Sequence, residues 1–155
     1  MSKDLEINDK VPNFRVLVDE NKYLTSEDFK GKKLVIYFYP KDNTPGCTTE
    51  TKDFTAMHNK FKEKNTEILG VSKDSIKSHK SFSKKFDVPF QLGSDPETLM
   101  CEQFGVWVEK SMYGKKYMGI DRSTFLIDES GKIAKIWSKV SVSGHVEEVL
   151  KEVEK

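Results

Sequence analysis

The chain has little of what usually announces a function. It contains two cysteines, Cys47 and Cys101, and neither belongs to a CxxC pair or a CxxC…HxxxH pattern. That excludes a zinc site or dithiol redox pair of the usual spacing. His58, His79 and His145 have no metal-partner spacing either, and read as solvated or helix-face residues with no metal or cofactor expected. The 26 basic residues nearly cancel 25 acidic ones, for a formal charge of +1, so there is no electrostatic case for nucleic acid or an anionic membrane. No run approaches the roughly 18 apolar residues of a membrane span. Met1 to Lys10 lacks the apolar core and cleavage site of a secretory leader. Free thiols without an export signal suit a reducing compartment, so a cytoplasmic location is expected.

What remains is a globular balance of 36% hydrophobic and 33% charged residues over 155 positions, enough for one real core. No repeat, low-complexity stretch or linker interrupts it, so residues 1–155 read as a single domain. Asn13 to Val18 alternates before the turn Asp19 to Lys22, predicting a hairpin. Thr25 and Asp28 have capping-box spacing before Phe29. Leu34 to Tyr39 is continuously apolar, as a strand buried on both faces should be, and Pro40 ends it. Thr55 to Lys64 reads as helix, and Ile68 to Val71 as a second buried strand. Asp74 is placed as the cap of a helix running through Phe86. Phe90 to Leu92 suggests a short strand, and Asp95-Pro96 opens a helix that Gly105 ends. Ser123 to Asp128 and Lys132 to Trp137 flank a turn as an antiparallel pair, and Val146, Val149, Leu150 and Val153 stripe a final helix. This order predicts an α/β protein with a mixed central sheet flanked by helices, the thioredoxin-like fold.

The segment that carries chemistry is Pro40 to Glu50, between a buried strand and a helix. Thr44 can be the N-cap, with Pro45 at the first helical position, where its missing N–H costs nothing. Cys47 then falls in the first turn, among unpaired N–H groups. Phe54 and Phe61 follow at intervals of seven, so the sulfur should face inward. A helix terminus favours a thiolate, the nucleophilic form, by roughly 0.3–2 kcal/mol. An ordinary thiol is only a few per cent ionised at neutral pH, so the dipole alone is too weak and a cation is required. Arg122 is the candidate: one of only two arginines, at the entrance to the Ser123 strand, with a planar fork able to hold a sulfur and a substrate oxygen together. Thr44 hydroxyl, the N–H groups of Gly46 and Cys47, and Arg122 are the donors assigned to the transition state, with Pro40 and Pro45 shielding the pocket.

Pro40-x-x-x-Thr44-x-x-Cys47 followed by a later strand-entrance arginine resembles the active site of the peroxiredoxins. Tyr37-Phe-Tyr-Pro-Lys41, Thr44-Pro-Gly-Cys-Thr48, Cys101-Glu-Gln-Phe-Gly-Val-Trp107, Glu109-Lys-Ser111 and Arg122-Ser-Thr-Phe-Leu-Ile-Asp128 are similar to the bacterioferritin comigratory protein (peroxiredoxin Q) subfamily. The resemblance runs from about Asp9 to the C-terminal helix. It implies reduction of hydrogen peroxide and organic hydroperoxides, re-reduction by a thioredoxin-like or other thiol donor, and a monomer. It also implies Cys47 as the peroxidatic residue, Thr44 and Arg122 as its activators, Pro40 in the pocket and Glu50 as a structural partner.

One departure matters. The positions where such proteins carry a second, resolving cysteine are Lys52 and, in the next helix, the neighbourhood of Ser83. Only Cys101 remains. It shares a helical face with Met100 and Phe104 and reads as a core residue. Its alternative, a resolving thiol, would need its Cα within about 7 Å of that of Cys47 after local unfolding. A one-cysteine cycle is therefore the expectation. Two other readings stay open: a disulfide oxidoreductase, which the lack of CxxC opposes, and a redox relay, which only turnover separates from a peroxidase.

Overall fold

The structure, a computed structural model, describes residues 5–155. Seven strands form one sheet in the order β2-β1-β5-β4-β3-β8-β9. At its centre, β3 (Lys33–Phe38) runs parallel to β4 (Thr66–Ser72), which runs parallel to β5 (Gln91–Ser94). On the other side, β3 pairs antiparallel with β8 (Ser123–Ile127), and β8 with β9 (Ile133–Trp137). The predicted opening hairpin is β1 (Arg15–Asp19) and β2 (Lys22–Thr25), the outer strands beyond β5. A 3-10 turn at Ser26–Phe29 follows, with the Thr25–Asp28 capping box in place.

Every residue from Leu34 to Tyr39 is buried, because layers cover both faces of β3. The side chains alternate between two cores. Leu34, Ile36 and Phe38 join Phe14, Cys101, Phe104 and Phe125 on one face. Val35, Tyr37 and Tyr39 join Cys47, Phe54, Phe61 and Phe82 on the other. The second face is covered by α1 (Pro45–Glu63), α2 (Ile76–Phe86) and α4 (His145–Val153). Gly70 on β4 lets the Tyr37 ring lie flat, since a Cβ there would stand 2.7 Å from the Tyr37 hydroxyl.

The structure amends the predicted elements at several points. The Cys47 turn and the predicted Thr55 helix are one continuous helix. Ser75, not Asp74, caps α2, accepting from the Ser78 N–H at 3.1 Å. The helix after Asp95-Pro96 is only α3 (Leu99–Gln103); Asp95 contributes by accepting from the Met100 and Cys101 N–H groups. A two-stranded hairpin, β6 (Trp107–Met112) and β7 (Lys115–Ile120), lies between α3 and β8 and was not predicted. Its turn places Tyr113 at φ 53° and Gly114 at φ 79°, the left-handed pair that a two-residue hairpin needs. Most of it is exposed, so it lacks the apolar alternation by which strands are read.

Candidate active site

The junction of β3 and α1 builds the site. Thr44 takes an extended backbone (φ −83°, ψ 153°) and Pro45 starts the helix. The first intrahelical bond runs from the Thr48 N–H to the Thr44 carbonyl at 2.8 Å. The N–H groups of Gly46 and Cys47 lie ahead of it, and so belong to the unpaired end of the helix. Cys47, Phe54 and Phe61 are fully buried, as their spacing predicts.

Arg122, between β7 and β8, closes the site from the strand next to β3. Its Nη2 donates to Cys47 Sγ at 3.2 Å and its Nη1 to Glu50 Oε1 at 2.7 Å. The guanidinium thus spans a thiol and a carboxylate one helical turn apart with two aligned donors of one planar fork, a geometry that a lysine ammonium lacks. Gly46 leaves room for it: a Cβ there would stand 3.2 Å from Nη2. The Arg122 backbone is fixed by the Val140 N–H, which donates to its carbonyl at 2.9 Å. Burial opposes the Arg122 charge, yet Glu50 and Cys47 hold its pKa above the ordinary value.

Burial pushes the Glu50 carboxyl up to about 7, against the pull of Arg122. Its second oxygen, Oε2, is buried without a hydrogen-bond partner, which makes full ionisation costly. Nearby, His145 at the start of α4 bonds Thr124 Oγ1 through Nε2 at 2.8 Å and meets Phe54 and Trp137 edge to face. Burial, then repulsion from Arg122, lowers its pKa to about 4, so it is neutral at neutral pH.

Behind the sulfur, Tyr37 stacks on Phe54 at 4.6 Å and on Tyr39 at 5.5 Å, and its hydroxyl meets Thr51 Oγ1 at 2.9 Å. Burial raises the pKa of both tyrosines far above the usual phenol value. Tyr39 donates to the buried Asp42 carboxylate at 2.6 Å, as do Ser78 at 2.7 Å and His79 Nδ1 at 2.8 Å. Burial opposes the Asp42 charge, but these donors, His79 foremost, hold its pKa below the ordinary value. Asp42, Asp74 and His79 bring ligand-type atoms within 4.8 Å of one another. Both Asp42 oxygens, Asp74 Oδ2 and both His79 nitrogens already have hydrogen-bond partners, so this cluster reads as a polar network.

The structure therefore brings Cys47, Arg122 and Glu50 into direct contact, with Gly46 beside them. Thr44 is the N-cap by backbone only: its hydroxyl donates to the Lys41 carbonyl at 2.9 Å and caps nothing. Pro40 and Pro45 flank the Cys47 turn in sequence and are exposed. Cys101 is in the core on the opposite face of the sheet, away from Cys47. His79 and His145, read as solvated or helix-face, are both buried. For His79 the signal was available: Phe82 and Phe86 follow it at i+3 and i+7, on the inward face of α2.

Residues 7–136 match the AhpC/TSA family. The chain is 49% identical to a putative peroxiredoxin bcp of Coxiella burnetii, over 94% of this chain and 97% of the relative. It is 48% identical to the peroxiredoxin Bcp of Bacillus subtilis, over 94% and 93%. Among solved structures it is similar to the Xanthomonas campestris bacterioferritin comigratory protein, studied for alkyl peroxide reduction (TM-score 0.87, 45% identity, 91% of this chain and 90% of that one). A cysteine-to-serine mutant of Xylella fastidiosa PrxQ superposes with a TM-score of 0.92 at 40% identity, covering 99% and 98%. With the motifs, the fold and these relatives in agreement, the chain belongs to the AhpC/TSA family and is a peroxiredoxin, a thiol peroxidase.

Proposed function

We propose that Cys47 is the peroxidatic nucleophile, that Arg122 and Thr44 activate the reaction, and that the cycle uses one cysteine. The observation that carries this reading is the 3.2 Å contact between Arg122 Nη2 and Cys47 Sγ at the first turn of α1. The Cys47 thiolate attacks one oxygen of a hydroperoxide, either hydrogen peroxide or an organic one. An S–O bond forms, the O–O bond breaks, sulfur is oxidised to the sulfenic acid, and the departing oxygen leaves as hydroxide or alkoxide and takes a proton from water. Arg122 and the Gly46 and Cys47 N–H groups face the charge that develops on the oxygens. The Thr44 hydroxyl is a rotor and turns to the attacked oxygen without moving the backbone. Pro40 and Pro45 border the approach, and Glu50 holds the second arm of Arg122.

Resolution then falls to an external thiol. It displaces water from the sulfenic acid to give a mixed disulfide, and a second thiol releases Cys47. Cys101 is a poor alternative because the central sheet separates it from Cys47. A thioredoxin-like protein suits the role, and since Cys47 has no exposed surface, the first turn of α1 must open to admit it. Two free thiols fit a reducing, cytoplasmic setting, and the chain is proposed to act as a monomer and a single domain. The test is the intact mass of reduced protein after one equivalent of hydrogen peroxide. A gain of about 16 Da, trappable by a sulfenic-acid reagent and absent in Cys47→Ser, is expected. A loss of about 2 Da would mean an internal disulfide and overturn the one-cysteine cycle.

A further inference from the structure

The loop from Pro40 to Thr44 delivers both Thr44 and the start of the Cys47 helix, yet its own hydrogen bonds are few. Within the loop, Asn43 adopts φ 63°, and the Thr44 hydroxyl bonds the Lys41 carbonyl. What anchors the loop is Asp42. Its N–H donates to Asp74 Oδ2 at 2.8 Å, and its carboxylate, nearly inaccessible to solvent, accepts from Tyr39, Ser78 and His79. His79 in turn reaches the Gly93 carbonyl on β5 through Nε2 at 3.0 Å. One ring nitrogen meets the Asp42 carboxylate and the other the Gly93 carbonyl, so the ring bridges the loop to the sheet.

We infer that His79 is a positioning residue for peroxide reduction: by holding Asp42 it fixes the 40–44 loop in the conformation that presents Thr44 and the first turn of α1 to the substrate. The inference rests on the reading of Cys47 as the attacking sulfur. Its physical basis is lever-like. Asp42 is two residues before Thr44 and five before Cys47, and among the described residues its side chain is the one in this segment that hydrogen-bonds to α2. Release of the carboxylate frees the loop at the point nearest the reacting atoms. Misplacement by an ångström in such a site costs up to about a hundredfold in rate.

Two amides separate this role from simple support of the fold. Asn at position 79 can reproduce the Nδ1 donor to Asp42, and Gln the Nε2 donor to Gly93. The measurement is the single-turnover rate constant for Cys47 oxidation by hydrogen peroxide, with a melting temperature for each variant. His79→Leu should slow oxidation about tenfold to a hundredfold. His79→Asn should recover most of that rate, whereas His79→Gln should recover melting temperature but not rate. Ile133→Ala, in the core on the opposite face of the sheet, serves as a destabilised control and should retain the wild-type rate. If His79→Leu does not fold, the Asn and Gln pair carries the comparison alone. Wild-type rates in all His79 variants, an equal slowing in Ile133→Ala, or rescue by Gln in place of Asn would each overturn the inference. Failure of the Cys47 reading shows separately, as unchanged peroxide consumption in Cys47→Ser with His79 intact.

Discussion

Cys47 and Cys101 are the same residue type, both fully buried, on opposite faces of one sheet. What distinguishes them is the sign of the nearest charge. Cys47 has a guanidinium 3.2 Å from its sulfur and the open end of a 19-residue helix around it. Cys101 sits beside the Asp95 carboxylate, which accepts from its N–H at 2.8 Å. Burial first, and Asp95 second, push the Cys101 thiol far above the ordinary range, so it stays protonated and unreactive. Equal depth in the protein thus comes with opposite electrostatic surroundings. Two faces of one sheet, packed against different helices, set one cysteine beside a cation and the other beside a carboxylate.

The largest effects should come from breaking this contrast at Cys47. Cys47→Ser is expected to abolish peroxide turnover with circular dichroism unchanged, while Cys101→Ser keeps turnover; residual cycling in the first variant would remove the assignment. Arg122→Lys tests the charge more finely. The ammonium retains the charge but lacks the planar fork that aligns donors to Sγ and Glu50, and loss of one aligned donor to a developing oxyanion costs about a hundredfold. A stopped-flow rate within twofold of wild type would show that the fork geometry is dispensable.

How far this was readable beforehand depended on the range of the signal. β3 and β4 are continuous apolar runs, and Cys47, Phe54 and Phe61 repeat every seven residues, so the central strands and the inward sulfur were legible locally. The strand-to-helix spacing placed Thr44, Pro45 and Cys47 together. Arg122 needed more. It lies 75 residues from Cys47, and only chemistry and the family motif could nominate it. The Asp42–His79 pair is 37 residues apart and was missed: helical spacing puts His79 on the inward face of α2, but nothing local marks Asp42 as its partner. The β6–β7 hairpin was missed for the opposite reason: little of it is buried, so no burial pattern marks it.

A subtler comparison lies within the Cys47 face, between two buried groups that titrate in opposition. Glu50 is raised from its ordinary value of 4.5 to about 7. Its contribution to stability is complete below about 4.5 and is lost as pH rises to about 7. His145 is lowered from 6.5 to about 4, so its contribution is complete above 6.5 and is lost as pH falls to about 4. Each shift corresponds to on the order of 3 kcal/mol, and the two slopes largely cancel in the wild type. Glu50→Gln should leave a melting temperature that climbs from pH 4.5 to 7, and His145→Gln one that falls over the same range. Thermal melts across that window decide it, and an unchanged profile in Glu50→Gln would mean that its carboxyl is not held neutral by the fold.

The smallest effect expected is at Cys101, and it sharpens the opening contrast most. Cys101→Ala removes a sulfur from the core that holds Phe14, Phe38, Phe104 and Phe125, and should cost about 1 kcal/mol of stability. The peroxide rate should not move, because the sheet separates the two sites. After one equivalent of peroxide the variant should gain the same oxygen as the wild type. Denaturant unfolding and intact mass together check both halves. A variant that is less stable but oxidises normally confines Cys101 to packing. One that overoxidises at Cys47 faster than wild type, at equal peroxide, would instead make Cys101 a protective thiol reached by large-scale opening, and the sheet would not be the barrier that its geometry implies.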